Sequence, residues 1–406
     1  MGVNYMKINI PKFGNLQNLK ILSTGSVLAG PFAATLFAEN GAEVIHTEST
    51  GGPDILRKLG LTWAQEHHNE KMITLNIPSP DGHEVFLRMI KWCDIWIESS
   101  KGGTYDKWGL DDDTLWKVNP KLIIAHISGF GQTGDPEYTG RAAYNSIGQA
   151  FSGYASLNGS PDMPYLTRPY LGDYITGIQA AWACLAAYIR SQQTGVGESI
   201  DVAMYEVFNR FQAGWGSEGL TLGKPFQRFT GADPTTAGDP GYRCKNGKFV
   251  MISMAGPGPL KSGIPLIGLG DDPDFKGVNA ILKVAPYAEK FVQALRDFCA
   301  ARTDTEVEEE MGRAGIPVSR FYDYCDMLED PHYKARKNII EYYDPNSKQT
   351  FKGFAPSPKF KNNPQQIWCG GGTYGQDNEE VLKYLGYGEE EIKTLYEKKV
   401  IVKETK

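Results

Sequence analysis

The residue best placed to do chemistry is Asp173, in the run RPYLGDYITG (168–177), immediately ahead of a long helical pattern. An aspartate at such a point is, taken alone, most often an N-cap. That role and a chemical one are compatible, because a helix N-terminus holds a carboxylate ionised and oriented, the state a nucleophilic carboxylate needs. Other reactive side chains fall away. Cys369, beside Gly370, Gly371 and Gly372, has no histidine near it in sequence and reads as a turn thiol. The six histidines lack metal-ligand spacing. His67 and His68 are adjacent, and neighbours on a strand or helix point different ways, so no metal is expected. The turn TGSVLAGP has Gly25 and Gly30 but not the GxGxxG of a dinucleotide site, which sets aside a nicotinamide or flavin enzyme.

These residues sit in a regular succession of elements. LKILS, EVIHTES, KMITLNI, DIWIESS and KLIIAHIS read as strands, and ESIDVAM returns as another after the long helix. Helices intervene: GPFAATLFAENGA with Pro31 in its first turn and Gly41 as its stop, and a second opened by Ser79-Pro80-Asp81. Strands separated in this way predict a mostly parallel sheet covered on both faces. The helix after Asp173 is amphipathic. Ile175, Ile178, Trp182, Leu185 and Ile189 recur at three- and four-residue steps, and Gly195 ends it.

From about Phe226 the character changes. FTGADPTTAGDPGY reads as a linker or ordered loop, and YRCKNGKFVMISM as a hairpin turning at Asn246-Gly247. Helices follow near Tyr287–Ala300 and after Thr303, whose partner Glu306 completes a capping box. The expected fold class is α/β. It comprises a large Rossmann-like domain (1–225), a smaller α+β domain (226–330) and a C-terminal segment (331–406) with a last helix near Glu379–Leu385.

Composition narrows the function. Of 406 residues, 41% are hydrophobic and 22% charged, the balance of a folded protein, and the net charge of −6 gives no basic footprint for nucleic acid. The longest nearly apolar stretch, Ile175–Ile189, is too short to span a bilayer and is interrupted by Gln179. The first residues hold no apolar signal core. Six scattered cysteines without a CxxC pair suit reduced thiols in the cytoplasm.

Five stretches in fixed order carry a family likeness: LAGPFAATLFAENGAEVIHTES, DIWIESSKGGTYDKWGL, IIAHISGFGQTG, RPYLGDYITG and TGVGESIDVAMYE. The chain resembles the class III CoA-transferases, the formyl-CoA and carnitine type. PEYTGRAAYNSIGQAFSGY and PKFKNNPQQIW bring it nearest the crotonobetainyl-CoA:carnitine branch. The resemblance implies that Asp173 is the nucleophile, passing through an aspartyl anhydride and an aspartyl-CoA thioester. It implies that Lys101 and Lys107 hold coenzyme A, and that the turn MAGPGPLKSG, with Gly256 and Gly258, covers the adduct; read alone, that turn is as well an ordinary surface turn. It further implies an interlocked-ring homodimer, and acyl-CoA and carboxylic acids as substrates with no separate cofactor. The acid expected is carnitine, exchanged with crotonobetainyl-CoA, or an (R)-2-hydroxy acid such as 2-hydroxyisocaproate with its enoyl-CoA. Two rivals share the fold: an acyl-CoA hydrolase and an α-methylacyl-CoA racemase, whose catalytic histidine is matched here by Ala143.

Overall fold

In the computed structural model, residues 10–228 and 235–404 are described. Residues 1–9, which the reading for a signal concerns, and 229–234 of the Gly/Pro-rich crossing lie outside the described residues. Two compact units emerge. One is built from the chain up to Ala155, from Leu166–Lys224 and from Arg336 onward; the other from Ser156–Tyr165 and Pro225–Ala335.

The larger unit is organised on six parallel strands: β1 Lys20–Ser23, β2 Glu43–Glu48, β3 Lys71–Thr74, β4 Ile95–Glu98, β5 Ile123–Ser128 and β6 Glu198–Ala203. Their order in the sheet is β3-β2-β1-β4-β5-β6. The chain reverses direction across the sheet between β1 and β4, which leaves a crevice beyond the carboxyl ends of the strands. Ile95, Trp96 and Ile97 of β4, and Ile123, Ile124 and Ala125 of β5, are wholly buried, because helices cover both faces. Strand β3 lies at an edge, where free backbone groups invite wrong pairing. Here they are taken up: Asp377 accepts from the Met72 N–H at 2.8 Å and Asn378 from the Thr74 N–H at 2.9 Å. Both acceptors stand at the start of the Asn378–Tyr384 helix of the C-terminal tail. A hairpin of β10 (Ile339–Asp344) and β11 (Gln349–Phe354) and a final helix, Glu389–Glu397, complete that tail.

The long helix spans Leu171–Thr194 and stops at Gly195, whose φ of 76° suits glycine. Its buried face is made of small residues: Gly172, Thr176, Gly177, Ala180, Ala181 and Cys184. A Cβ at Gly177 would stand 2.8 Å from the carbonyl oxygen of Ala29, so glycine lets this helix press against the Ala29–Ala38 helix. Ile175 and Leu185 of the amphipathic pattern pack against the core, while its other large residues turn outward. Ile178, Trp182 and Ile189 are 53%, 67% and 59% exposed.

The second unit carries an antiparallel sheet of β7 (Tyr242–Arg243), β8 (Phe249–Ile252) and β9 (Val318–Arg320) in that order. The turn of its hairpin falls at Asn246-Gly247, with Gly247 at φ 81°. Thr303 and Glu306 form the capping box of the Asp304–Arg313 helix. Val250, Leu260, Phe291, Leu295, Val307 and Met311 fill the core between sheet and helices.

Candidate active site

The long helix begins three residues earlier than its sequence pattern suggests, so Asp173 is not its N-cap but lies in its first turn. The capping task falls to another side chain. Asn145, at the start of the Asn145–Phe151 helix, accepts from the Gly172 N–H at 2.8 Å, and Gln149 donates to the same oxygen at 2.9 Å. Gln149 is itself wholly buried and bonded to Thr167 on both its amide atoms. Asp173 is thereby freed from capping while its backbone is held. Burial pushes its carboxyl up to about 6, and its own backbone N–H pulls the other way. A group of that kind is ionised at neutral pH yet more basic than a solvated aspartate.

Asp173 lines a cavity of about 140 Å³ at the carboxyl edge of the sheet. Lys101 and Arg141 line it too, with Val27, Phe130 and Ala143 among the apolar residues. A second cavity of about 350 Å³ lies further along the same edge, lined by Leu75, Ile77, Tyr105, Trp108 and the polar Glu48 and Asp54. Ser26 and Ser100 border both, so the two cavities are neighbours along one strand edge.

The loop after β1 joins them. Val27 has φ 63°, a conformation that a β-branched residue adopts only under constraint. Two hydrogen bonds supply it: the Val27 N–H donates to Asp54 at 2.7 Å and the Ser26 N–H to Ser99 at 2.8 Å. The helix that follows has no side-chain cap at Leu28. The backbone amides of its first turn therefore lie beside the Asp173 cavity, which Val27 and Ala29 line. Across β4 and β5, His126 bridges Glu98 at 2.8 Å and Asp112 at 3.0 Å. Burial opposes charge on this imidazole, but the hydrogen bonds to Asp112 and Glu98 prevail and raise it to about 10. Glu98 also accepts from the Ser100 N–H at 2.6 Å, which ties the Ser99–Lys101 turn to the sheet.

Of the two lysines, Lys101 is brought to the cavity of Asp173. Lys107 is exposed in the short turn Asp106–Trp108, whose neighbours Tyr105 and Trp108 line the larger cavity. In the second unit Gly256, at φ 90°, precedes the Pro257–Leu266 helix, and Gly258 falls inside that helix rather than in a glycine-rich loop. Ala143 lines the Asp173 cavity, so no imidazole stands at that position. Burial pushes the Cys369 thiol up to about 12, which leaves it unreactive.

Three residues that sequence spacing keeps apart meet in the core. Ligand-capable atoms of His46, on β2, and of His67 and Glu70 lie within 4.8 Å of one another. Trp63 stacks on His67 at 3.8 Å, and the Arg57 guanidinium lies over Trp63 at 3.6 Å. Burial drives both imidazoles down to about 3 and Glu70 up to about 7, so the histidines are neutral at pH 7. Arg57 also forms a buried pair with Glu48. Sequence reasoning missed Arg141, Asn145 and Val27; only the polar Arg-Ala-Ala-Tyr-Asn run ahead of a short helix hinted at the first two.

Comparison with known proteins places this geometry. Residues 16–378 match CoA-transferase family III. The chain is 45% identical over 389 residues to a bile acid CoA-transferase, BaiK, of Clostridium scindens, covering 95% of this chain and 89% of that protein. It is 38% identical over 395 residues to an L-carnitine CoA-transferase of Proteus mirabilis, covering 96% of this chain and 97% of that one. The crystal structure of a CAIB/BAIF family protein from Brucella suis superposes with a TM-score of 0.79 at 25% identity, over 92% of this chain and the whole of the other.

Proposed function

The chain belongs to CoA-transferase family III and is a CoA-transferase, and from that premise we propose that the carboxylate of Asp173 is the covalent carrier. The observation that carries the reading is a buried aspartate, relieved of its capping role and ionised near neutrality, in a cavity beside two cations. A carboxylate oxygen of Asp173 attacks the thioester carbon of an acyl-CoA. The C–S bond breaks, giving a mixed anhydride and the CoA thiolate. The thiolate attacks the aspartyl carbonyl, forms an aspartyl-CoA thioester and releases the first acid. The second acid's carboxylate then attacks that thioester, and the displaced thiolate takes the new acyl group, regenerating Asp173.

Carboxylates are weak nucleophiles toward thioesters, so positioning and oxyanion stabilisation must supply the rate. The uncapped amides at the start of the Ala29–Ala38 helix suit the second task. Lys101 and Lys107 are assigned to the phosphates of coenzyme A, with the larger cavity as the room for its nucleotide. Both intermediates hydrolyse if water reaches them, and the segment at Gly256, which opens the Pro257–Leu266 helix, is assigned to water exclusion. The exposed stripe of Ile178, Trp182 and Ile189 supports a homodimer, because monomers seldom leave such residues in one line on a helix. Among the described residues no helix is long and apolar enough to cross a membrane, and six free thiols suit the reducing cytoplasm. The acids exchanged are a hydroxy acid and its dehydrated enoyl counterpart. The test is covalent: incubation with acyl-CoA and then hydroxylamine should mark Asp173 with a hydroxamate. Substantial turnover by Asp173→Ala, or a mark elsewhere, overturns the assignment.

A further inference from the structure

The sheet brings together three ionisable residues that do not line the Asp173 cavity. His46 stands on β2, His67 ends the short Thr62–Glu66 helix and Glu70 immediately precedes β3. The parallel pairing of β2 with β3 sets them side by side, and each is 3% exposed or less. The hydrogen bonds of the two rings are one-sided. His67 Nδ1 lies 3.1 Å from a Glu70 oxygen, and His46 Nδ1 lies 3.2 Å from the Ser23 hydroxyl. Against an ionised Glu70, which only accepts, His67 carries its proton on Nδ1 and a bare lone pair on Nε2. The Nε2 atoms of both rings are buried without a hydrogen-bond partner among the described residues. Buried polar atoms nearly always have one.

Metal-ligating histidines share this arrangement: an oxygen partner holds one ring nitrogen and leaves the other for the ion. One ligand atom from each of His46, His67 and Glu70 lies within 4.8 Å of the other two. Around a tetrahedral zinc such atoms stand about 3.4 Å apart, so the set closes by about 1.4 Å at most through side-chain rotation. Glu70 keeps lone pairs to spare, since His67 and Thr35 engage one contact at each of its oxygens. Two imidazoles with one carboxylate suit zinc. Calcium and magnesium want oxygen throughout, and the set has no sulfur to favour copper(I). Arg57, the cation over Trp63, is neutralised by its buried pair with Glu48.

We propose that His46, His67 and Glu70 form a buried structural site for one divalent ion of the zinc class. The site is independent of the aspartyl reading above. An ion there meets no substrate and ties β2 to the segment that leads into β3. Trp63, which stacks on His67, packs in one cluster with Leu28, Leu56 and Val27, so the ion also braces the loop after β1. Because the ligands are enclosed, loading accompanies formation of the core.

The test measures metal in the full-length protein. Chain expressed in zinc-supplemented medium and dialysed against EDTA should retain about one zinc per chain, because a structural site binds zinc far more tightly than a surface histidine does. It should melt about 5 °C above the same protein from zinc-depleted medium. His46→Gln and His67→Gln should each lower the retained zinc to near zero. Should neither variant fold, protein expressed with cobalt decides: tetrahedral nitrogen and oxygen ligation gives strong visible bands and no thiolate charge-transfer band. Loss of all zinc to EDTA, equal melting with and without zinc, full zinc content in a folded His46→Gln chain, or a cobalt spectrum that is octahedral or thiolate-type overturns the proposal.

Discussion

Replacing Asp173 with asparagine should make the protein more stable while abolishing transfer. The carboxyl is raised from 3.8 for a free aspartate to about 6 by burial. That is roughly a hundredfold in proton affinity, and each tenfold is worth about 1.4 kcal/mol, so the ionised form destabilises the fold by about 3 kcal/mol. Between the two values the folded chain holds a proton that the unfolded chain releases, so stability falls as pH rises through that window. The full penalty is present above about pH 7 and absent below about pH 4. Asparagine removes the charge at nearly constant shape, but its amide donors lose water at a cost of about 1 kcal/mol. The net gain expected at pH 7.5 is therefore about 2 kcal/mol. Urea unfolding of wild type and Asp173→Asn at pH 4 and pH 7.5 measures it directly. The wild-type kcat/KM should also rise along an acid limb centred near pH 6, since in the proposed mechanism only the carboxylate attacks. A variant less stable than wild type at pH 7.5, or a gain that persists undiminished at pH 4, refutes the claim that Asp173 is held ionised against a burial penalty.

Other expectations concern the surroundings of that carboxylate. Lys101→Ala should raise KM for the CoA donor about tenfold with kcat little changed, because a phosphate contact is made in ground and transition states alike; a rise in KM for the free acid instead would place coenzyme A elsewhere. Trp182→Glu should shift the mass seen by light scattering from twice that of the chain to once, since it puts charge on the exposed stripe. A wild type that is already monomeric at micromolar concentration contradicts the dimer outright. Gly256→Ala meets no neighbouring atom but must adopt φ 90°, which costs about 1–2 kcal/mol locally. It should raise thiol release without transfer relative to transfer; an unaltered ratio removes that turn from water exclusion.

Much of the sheet was legible because its strands are buried on both faces, so that runs such as IIAHIS need no long-range information to be read. The hairpin at Asn246-Gly247 and the capping box at Thr303 were legible for the same reason: their signals are confined to a few residues. The long helix shows where such reading ends. Its largest side chains make the pattern, but its smallest make the contact, because Gly177 and Ala180 allow an approach that Ile178 and Trp182 would prevent. The start of that helix was misplaced because the amide of Gly172 in its first turn is satisfied by Asn145, 28 residues before Asp173. The meeting of His46 with His67 and Glu70 likewise depends on the pairing of β2 with β3, invisible in local spacing. The stretch RPYLGDYITG pointed to Asp173 by resemblance. It said nothing of Arg141, whose position in the cavity follows from the loop after β5.

The misplacement bears on the chemistry. An N-capping carboxylate accepts hydrogen bonds from the helix amides, and such bonds stabilise the anion, lower its basicity and occupy the lone pairs that attack in the proposed mechanism. Asn145 takes the Gly172 amide in its place, through an uncharged oxygen that Gln149 orients from the other side. Asp173 then receives little stabilisation beyond its own backbone N–H, and burial raises its basicity toward the operating pH. Greater basicity makes a carboxylate a better nucleophile, and with its carboxyl at about 6 most of the population remains ionised at pH 7. The same arrangement explains why the cations near it belong on the cavity wall and not in contact with the carboxylate. In the proposed mechanism, an ion pair with Lys101 or Arg141 would restore the stabilisation that Asn145 takes away, and would make Asp173 a poorer attacking group.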